Sequence, residues 1–436
     1  MTATATTPRA LRATALVVET TPLDDVRQLL PFLDARHPLL WLRKGQGMAG
    51  LGTALRLEFS GADRMRAAAT AWSEIVSRSS VIDPIGRPGT GLMAFGTFAF
   101  ADDSELPSVL IVPEVVIGRR DGQSWITRIR VADEPADDST DADGRTGSAA
   151  VTAPAMPQPT PFGDEYRLSL LPGSLKKDGY REAVAAAVER IREHDLSKVV
   201  LARDLVGHLP LESDLRRALV ELALGYPECW TFAVDGLVGS SPETLVRVDH
   251  GSVSARVLAG TVSRGADAEA DHDAAVSLAT STKDQDEHRY AVESVIAALA
   301  PHNSGLAASD IPFTLKLPNL WHLATDVEGA LSDGSTSLDL IDALHPTAAV
   351  AGAPTADAVD LIRELEPFDR GRYAGPVGWV GADGDGEWAI ALRCAQVSEN
   401  GDLTAYAGCG IVADSEPDRE LAETTMKFRP IVEAFG

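Results

Sequence analysis

The chain has 436 residues, 44% hydrophobic and 24% charged, the make-up of a soluble globular protein with room for one large domain or two to three ordinary ones. Its net charge of −25 argues against a nucleic-acid partner, whose phosphates would be repelled. Three cysteines at positions 229, 394 and 409, odd in number and without CxxC spacing, exclude a disulfide framework or zinc site and fit a reducing compartment.

The opening stretch "MTATATTPRALRATALVVET" has no long apolar core, so no signal peptide or membrane span is expected there and a cytoplasmic setting is the default. Residues 1–132 read as short strands with a few helical stretches, in "LLWLRKGQGMAGLGTALRLEF", "GLMAFGTFAFADD", "SVLIVPEVVIGRR" and "SWITRIRV". Residues 133–163 carry six acids, one Arg and five Pro among small residues, the composition of a mobile acidic linker or long surface loop. From 164 onward helices and strands alternate irregularly. "DGYREAVAAAVERIREHD" predicts a helix and "SKVVLARDLVGHL" a strand. A run of strands follows, with turns at Asp235-Gly236 and His250-Gly251. Next come a helix opened by "STKDQDEHRY", a strand in "LWHLATDVEGAL", a helix over 356–366 and two strands meeting at "DGDG". A strand into "YAGCGIV" and a last helix over about 417–435 complete the order. Strand runs broken by helices without a βαβ rhythm predict an α+β fold with a large antiparallel sheet.

Several residues in this order stand out chemically. Only seven of the 39 basic residues are Lys, so a Lys inside an apolar strand is notable, because Lys can give up its proton where Arg cannot. Lys198, in "HDLSKVVLARDL", is either an edge-strand side chain in water or a desolvated general base. Glu243, in "GSSPETLVRV", is either a turn acid or a carboxyl held protonated by burial. "VLAGTVSRG" and "YAGCGIV" end strands in small residues whose N–H groups can approach an anion. Arg393, mid-strand in "IALRCAQ", needs an anionic partner in the protein or in a ligand.

Two helices each present a pair of acids at i and i+3: Asp284 with Glu287, and Glu420 with Glu423, the latter followed at i+4 by Lys427. The plain reading is two solvated helix faces with an ordinary Glu423–Lys427 surface pair. The other is that the helices converge, where the acids would repel one another unless a divalent ion such as Mg²⁺ sat between them.

These pieces, in this order, resemble the chorismate-utilising enzymes, and among them the isochorismate synthases. The resemblance rests on "SKVVLARDL", "GSSPETLVR", "LAGTVSRG", "KDQDEHRY", "LWHLATDVEGAL", "LHPTAAVAGAP", "EPFDRGRYAGPVGWV", "IALRCAQV" and "AGCGIVADSEPDRELAETTMKF", over roughly residues 175–432. It is weaker in the amino-terminal third, through "LWLRKGQGMAGLG" and "MAFGTFAF". It implies one large α+β unit of sandwiched antiparallel sheets with helices outside. Residues 1–132 would be the amino-terminal part of this unit, 133–163 a loop or linker, and 164–436 the chorismate-binding core.

The resemblance also implies roles. Lys198 would activate the attacking water and Glu243 would protonate the departing hydroxyl. Glu287 and Glu423 would contact Mg²⁺, with Asp284 and Glu420 nearby. Gly260, Thr261, Tyr373, Arg393, Gly410 and Lys427 would hold the chorismate dianion, and His322 and Ala349 would line the pocket. Water would add at C2 while the C4 hydroxyl leaves, giving isochorismate for menaquinone, a siderophore or a related product. The family suggests a monomer with a small-molecule substrate and neither nucleic acid nor membrane as partner. Anthranilate-forming relatives usually carry Gln at the position of Lys198, and aminodeoxychorismate synthases carry Lys at that of Ala259. Salicylate synthases share the Lys and the acids but tend to have Thr at the position of Ala349, and they differ around "WHLATDVEG".

Overall fold

In a computed structural model of the chain, the described residues are 3–4, 14–132, 156–193, 196–309 and 311–436; the side chains of Ala3, Thr4, Lys283 and Glu287 lie outside the description. Among the described residues two large sheets form, of 11 and 13 strands. Pairing is antiparallel except where Leu16–Leu23 meets Ser80–Ile82 and Ala3–Thr4 meets Leu55–Phe59. Early and late strands are neighbours in both sheets. Leu39–Arg43 pairs with Trp230–Val234 in one, and Met93–Thr97 with Pro376–Gly381 in the other.

The face between the sheets is apolar from both sides. Trp41 of the 13-stranded sheet and Phe95, Trp379 and Trp388 of the 11-stranded sheet are fully buried in one cluster. Each aromatic of this size removes about 150–250 Å² from water, on the order of 4–6 kcal/mol of transfer free energy. Trp41 also donates its Nε1–H to Glu387 Oε2 at 3.0 Å, tying one sheet to the other.

The sequence order predicted above is present. Both turns have the positive φ pairs a tight hairpin needs, at Asp235 and Gly236 and at His250 and Gly251. The helix expected over 356–366 spans Thr355–Leu365, and the last helix is Pro417–Phe435, with Pro at its start, where the missing N–H costs nothing. Helices at Arg216–Gly225, Ala268–Thr280 and Ser337–Leu344 were not foreseen. Of the segment expected as a linker, 133–155 lies outside the described residues. Its end is held against the body: Thr160 N–H donates to Pro31 O and Gly163 N–H to Asp214 Oδ2, each at 2.8 Å, and Arg216 Nη2 donates to Pro161 O. Among the described residues no helix is long and apolar enough to cross a membrane.

The connectivity creates the site. The chain leaves the 13-stranded sheet after Leu237–Ser241 and enters the 11-stranded sheet at Thr244–Asp249. It returns between Gly386–Ile390 and Cys394–Val397. The two crossings run side by side, because Gly239 pairs with Cys394 in one sheet and Thr244 with Ala389 in the other. Glu243 sits in the first crossing and Arg393 in the second.

Candidate active site

A cavity of about 110 Å³ lies where the sheets part at these crossings. Lys198, Glu243, Gly260, Thr261, Asp284, His322, Ala349, Tyr373, Arg393, Gly410, Glu420, Glu423 and Lys427 all line it. These are the residues singled out from the sequence except Glu287, whose side chain lies outside the described residues; its backbone is in the helix Thr282–Leu299 that carries Asp284.

Lys198 opens the strand Lys198–His208 and is 7% exposed. The edge-strand reading is therefore set aside. The short strand Gly352–Ala353 covers it, pairing Ala353 with Lys198 and Gly352 with Val199. Only glycine fits at 352, since a Cβ there would meet Lys198 O at 2.1 Å and φ is +142°. On the other edge Val200 pairs with Gly410 of the strand Asp402–Ile411, which brings that glycine to the cavity wall.

Glu243 is 5% exposed, held by its crossing: its carbonyl accepts from Ile390 N–H at 3.2 Å and its own N–H donates to Ser241 Oγ at 3.3 Å. Burial pushes its carboxyl up to about 7, against the pull of a Leu258 backbone bond and the charges of Lys198, Lys427 and Arg393. Near neutrality it is thus available as a protonated acid.

Opposite stand Thr261 and His322, cross-strand partners. A bulge between Ala259 and Thr261 shifts the register there, with Gly260 at φ +76°. A Cβ at Gly260 would lie 3.2 Å from Asp284 Cβ, so this glycine also admits the acid-bearing helix. His322 Nδ1 is 3.0 Å from Thr261 Oγ1, and its Nε2 is 3.5 Å from Arg393 Nη2. A guanidinium only donates, so Nε2 accepts and the ring proton sits on Nδ1, facing the threonine. Burial first, then the charges of Arg393 and Lys427, keep this imidazole neutral, well below its usual range.

Arg393 is 8% exposed and adopts φ +48°, a strained conformation for a residue with a side chain. Among the described residues no carboxylate lies within ion-pair distance of it. Tyr373 stacks on Tyr406 at 5.3 Å between ring centroids, and burial pushes its phenol up to about 12, so it remains a neutral donor.

The last helix supplies the acids. The donor atoms of Glu420, Glu423 and Cys409 lie within 4.8 Å of one another. Burial holds the Cys409 thiol well above its usual range, and its Sγ donates to the Glu420 carbonyl at 3.3 Å, so its proton is turned to the backbone. What remains is carboxylate oxygen, which suits a hard cation such as Mg²⁺. Lys427 Nζ lies 2.6 Å from Glu423 Oε1 and donates to Gly408 O at 3.1 Å. The surface-pair reading of Glu423 and Lys427 does not survive, because both side chains face the cavity.

Sequence reasoning missed Pro242, Val350, Tyr406 and Arg419, which also line the cavity. Pro242 and Val350 adjoin residues already marked; Tyr406 and Arg419 carry no local signal that sets them apart.

The chorismate binding enzyme family matches residues 5–436. The chain is 39% identical over 290 residues to isochorismate synthase DhbC of Bacillus subtilis, covering 63% of this chain and 71% of the relative. It is 30% identical over 431 residues to the salicylate biosynthesis isochorismate synthase of Pseudomonas aeruginosa, covering 96% and 89%. The solved structure of MenF, the menaquinone-specific isochorismate synthase of Escherichia coli, superposes with a TM-score of 0.75 at 24% identity, covering 97% of both chains, a likeness of fold.

Proposed function

The chain belongs to the chorismate-binding enzymes, and from that membership we propose that it is an isochorismate synthase, converting chorismate to isochorismate. Its relatives of that name support the reading. The observation that carries it is the pairing, in one buried cavity, of a carboxyl held near 7 at Glu243 with a lysine at Lys198.

Chorismate carries two carboxylates. In a protein of net charge −25 these need local cations, and Arg393, which has no carboxylate within ion-pair distance among the described residues, would take one. Thr261, with the His322 proton behind it, and Tyr373 donate to the same ligand, while Lys427 adds positive charge. Lys198 accepts the proton of the water that adds at C2. Glu243 gives its proton to the C4 hydroxyl as that group leaves and the ring double bonds shift. Acid and base must act on separate oxygens, so the substrate lies between them.

Glu420 and Glu423, with Asp284 and Glu287 of the facing helix, would hold the Mg²⁺. When bound, the ion supplies positive charge against a substrate carboxylate. In the same reading the enzyme works as a cytoplasmic monomer.

The test is incubation of purified protein with chorismate and Mg²⁺, followed by chromatography. Isochorismate formation is expected, and unconsumed chorismate would overturn the proposal.

A further inference from the structure

Between its two short partners, Gly352–Ala353 and Leu171–Pro172, the strand that begins with Lys198 has a gap along one edge. Paired residues stop at Val199, with one further backbone bond from Val200 N–H to Ala351 O at 2.8 Å, and resume at Leu205. Backbone groups exposed there inside the protein must find partners or leave a buried polar group unsatisfied. A single ion pair fills part of the gap. Glu366 Oε1 accepts from Ala202 N–H at 2.7 Å, and Arg370 Nη2 donates to Val200 O at 2.7 Å. The two side chains bind each other twice, Arg370 Nε to Glu366 Oε2 at 2.8 Å and Nη2 to Oε1 at 2.6 Å, and are 2% and 1% exposed.

Arg370 reaches two further walls of the cavity. Its Nη1 donates to Val350 O at 3.0 Å, beside Ala349. Its carbonyl accepts from Tyr373 N–H at 3.0 Å, and its guanidinium lies 5.9 Å from the Tyr373 ring centroid. The guanidinium of one buried arginine thus bonds the strand of the proposed base and the Ala349 loop, and its backbone carbonyl holds the turn of a substrate donor. Buried ion pairs add little net stability over apolar packing, because desolvation offsets the attraction. Stability alone therefore does not account for the pair, and geometry does.

We propose that Arg370 and Glu366 are positioning residues: they fix Lys198 relative to Ala349 and Tyr373 without touching substrate. The proposal rests on the isochorismate synthase reading. Misplacement of a reacting group by about 1 Å is worth on the order of 10²-fold in rate. Arg370→Lys keeps the charge but cannot span Val200 O, Val350 O and both oxygens of Glu366 at once.

The experiment is single turnover with enzyme in excess over chorismate and Mg²⁺ saturating. With folded enzyme kept in saturating excess, its rate constant reports bound, folded molecules only, so a variant that is merely less stable gives the wild-type constant. The expected result for Arg370→Lys is a constant lowered about 10- to 100-fold. Glu366→Gln, which keeps an acceptor for Ala202 N–H and serves if Arg370→Lys does not fold, should show a smaller fall. A wild-type constant in the folded variants overturns the positioning role, whereas a wild-type protein that leaves chorismate untouched overturns the function on which it rests.

Discussion

Lys427 Nζ lies 2.6 Å from Glu423 Oε1, one helical turn away, inside the cavity. Burial is the largest influence and opposes the charge on Lys427, but Glu423, with Cys409 beside it, holds the ammonium above its usual range. One of the acids proposed to hold a cation therefore already has a counter-charge. From spacing alone, grouped acids should repel, and removing any of them should leave stability almost unchanged. The pair changes that expectation for Glu423. Glu423→Gln leaves Lys427 buried without its carboxylate and should destabilise the metal-free protein by about 1–3 kcal/mol, between the values for exposed and fully buried pairs. Glu420→Gln leaves the Glu423–Lys427 pair in place and should have the smaller effect. Thermal melts in EDTA compare the two, and equal losses would contradict this account.

Turnover should require the divalent ion. Excess EDTA should abolish isochorismate formation and Mg²⁺ should restore it. Glu420→Gln and Glu287→Gln should each raise the Mg²⁺ concentration needed for half-maximal rate by at least about 10-fold, since one charged ligand contact is typically worth more than 1.4 kcal/mol. Undiminished turnover in EDTA would remove the ion from the reaction.

Glu243 sets a pH dependence whose sign is fixed by its burial. Its folded value of about 7 lies above the ordinary 4.5, so between these the native state binds more protons than the unfolded state. Stability is then lost as pH rises through that window, on the order of 3 kcal/mol in all. Glu243→Gln, which cannot ionise, should gain in melting temperature over wild type from about pH 5 to 7 and keep that gain above. The same variant should lose at least about 10²-fold in kcat, and the wild-type rate should fall as pH rises through 7. A melting-temperature difference that does not change with pH would contradict the buried-acid assignment.

Arg393 is a buried cation with no carboxylate partner among the described residues. Arg393→Met should therefore raise the melting temperature of the ligand-free protein, because an uncompensated charge is removed from the interior. It should also lower kcat/KM by at least about 10²-fold, the scale of one lost charge-assisted contact to an anionic substrate. Reduced stability with unchanged kcat/KM would make Arg393 a structural residue.

Local periodicity made some of this site legible in the sequence. Two i, i+3 acid pairs mark helix faces whatever the fold, so Asp284, Glu420, Glu423 and the nearby Lys427 could be grouped by spacing. Turns at Asp235-Gly236 and His250-Gly251 were readable because positive φ restricts the residue types. Lys198 was not decidable, because what buries it is a two-residue strand some 150 positions later, with Glu366 and Arg370 behind it. The side-by-side crossings that set Glu243 and Arg393 in one cavity are long-range pairings with no local signature. Their roles became visible only through the ordered set of motifs that resembles the family.

The product should be isochorismate with little or no salicylate. Salicylate formation needs bound isochorismate to lose pyruvate in the same pocket, so the ring must be held while the side chain departs. Ala349 faces the cavity beside Val350, whose carbonyl is fixed by Arg370. Its methyl group offers no hydroxyl and little bulk to hold a second reactive conformer. Ala349→Thr adds both at a wall that is held in place, and should raise the salicylate fraction while water addition continues. Chromatography of the chorismate reaction separates the products, and salicylate fluorescence follows the second step. Stoichiometric salicylate and pyruvate from the wild-type enzyme would make it a salicylate synthase, and an Ala349→Thr variant with no change in product would place the control of that step on another residue.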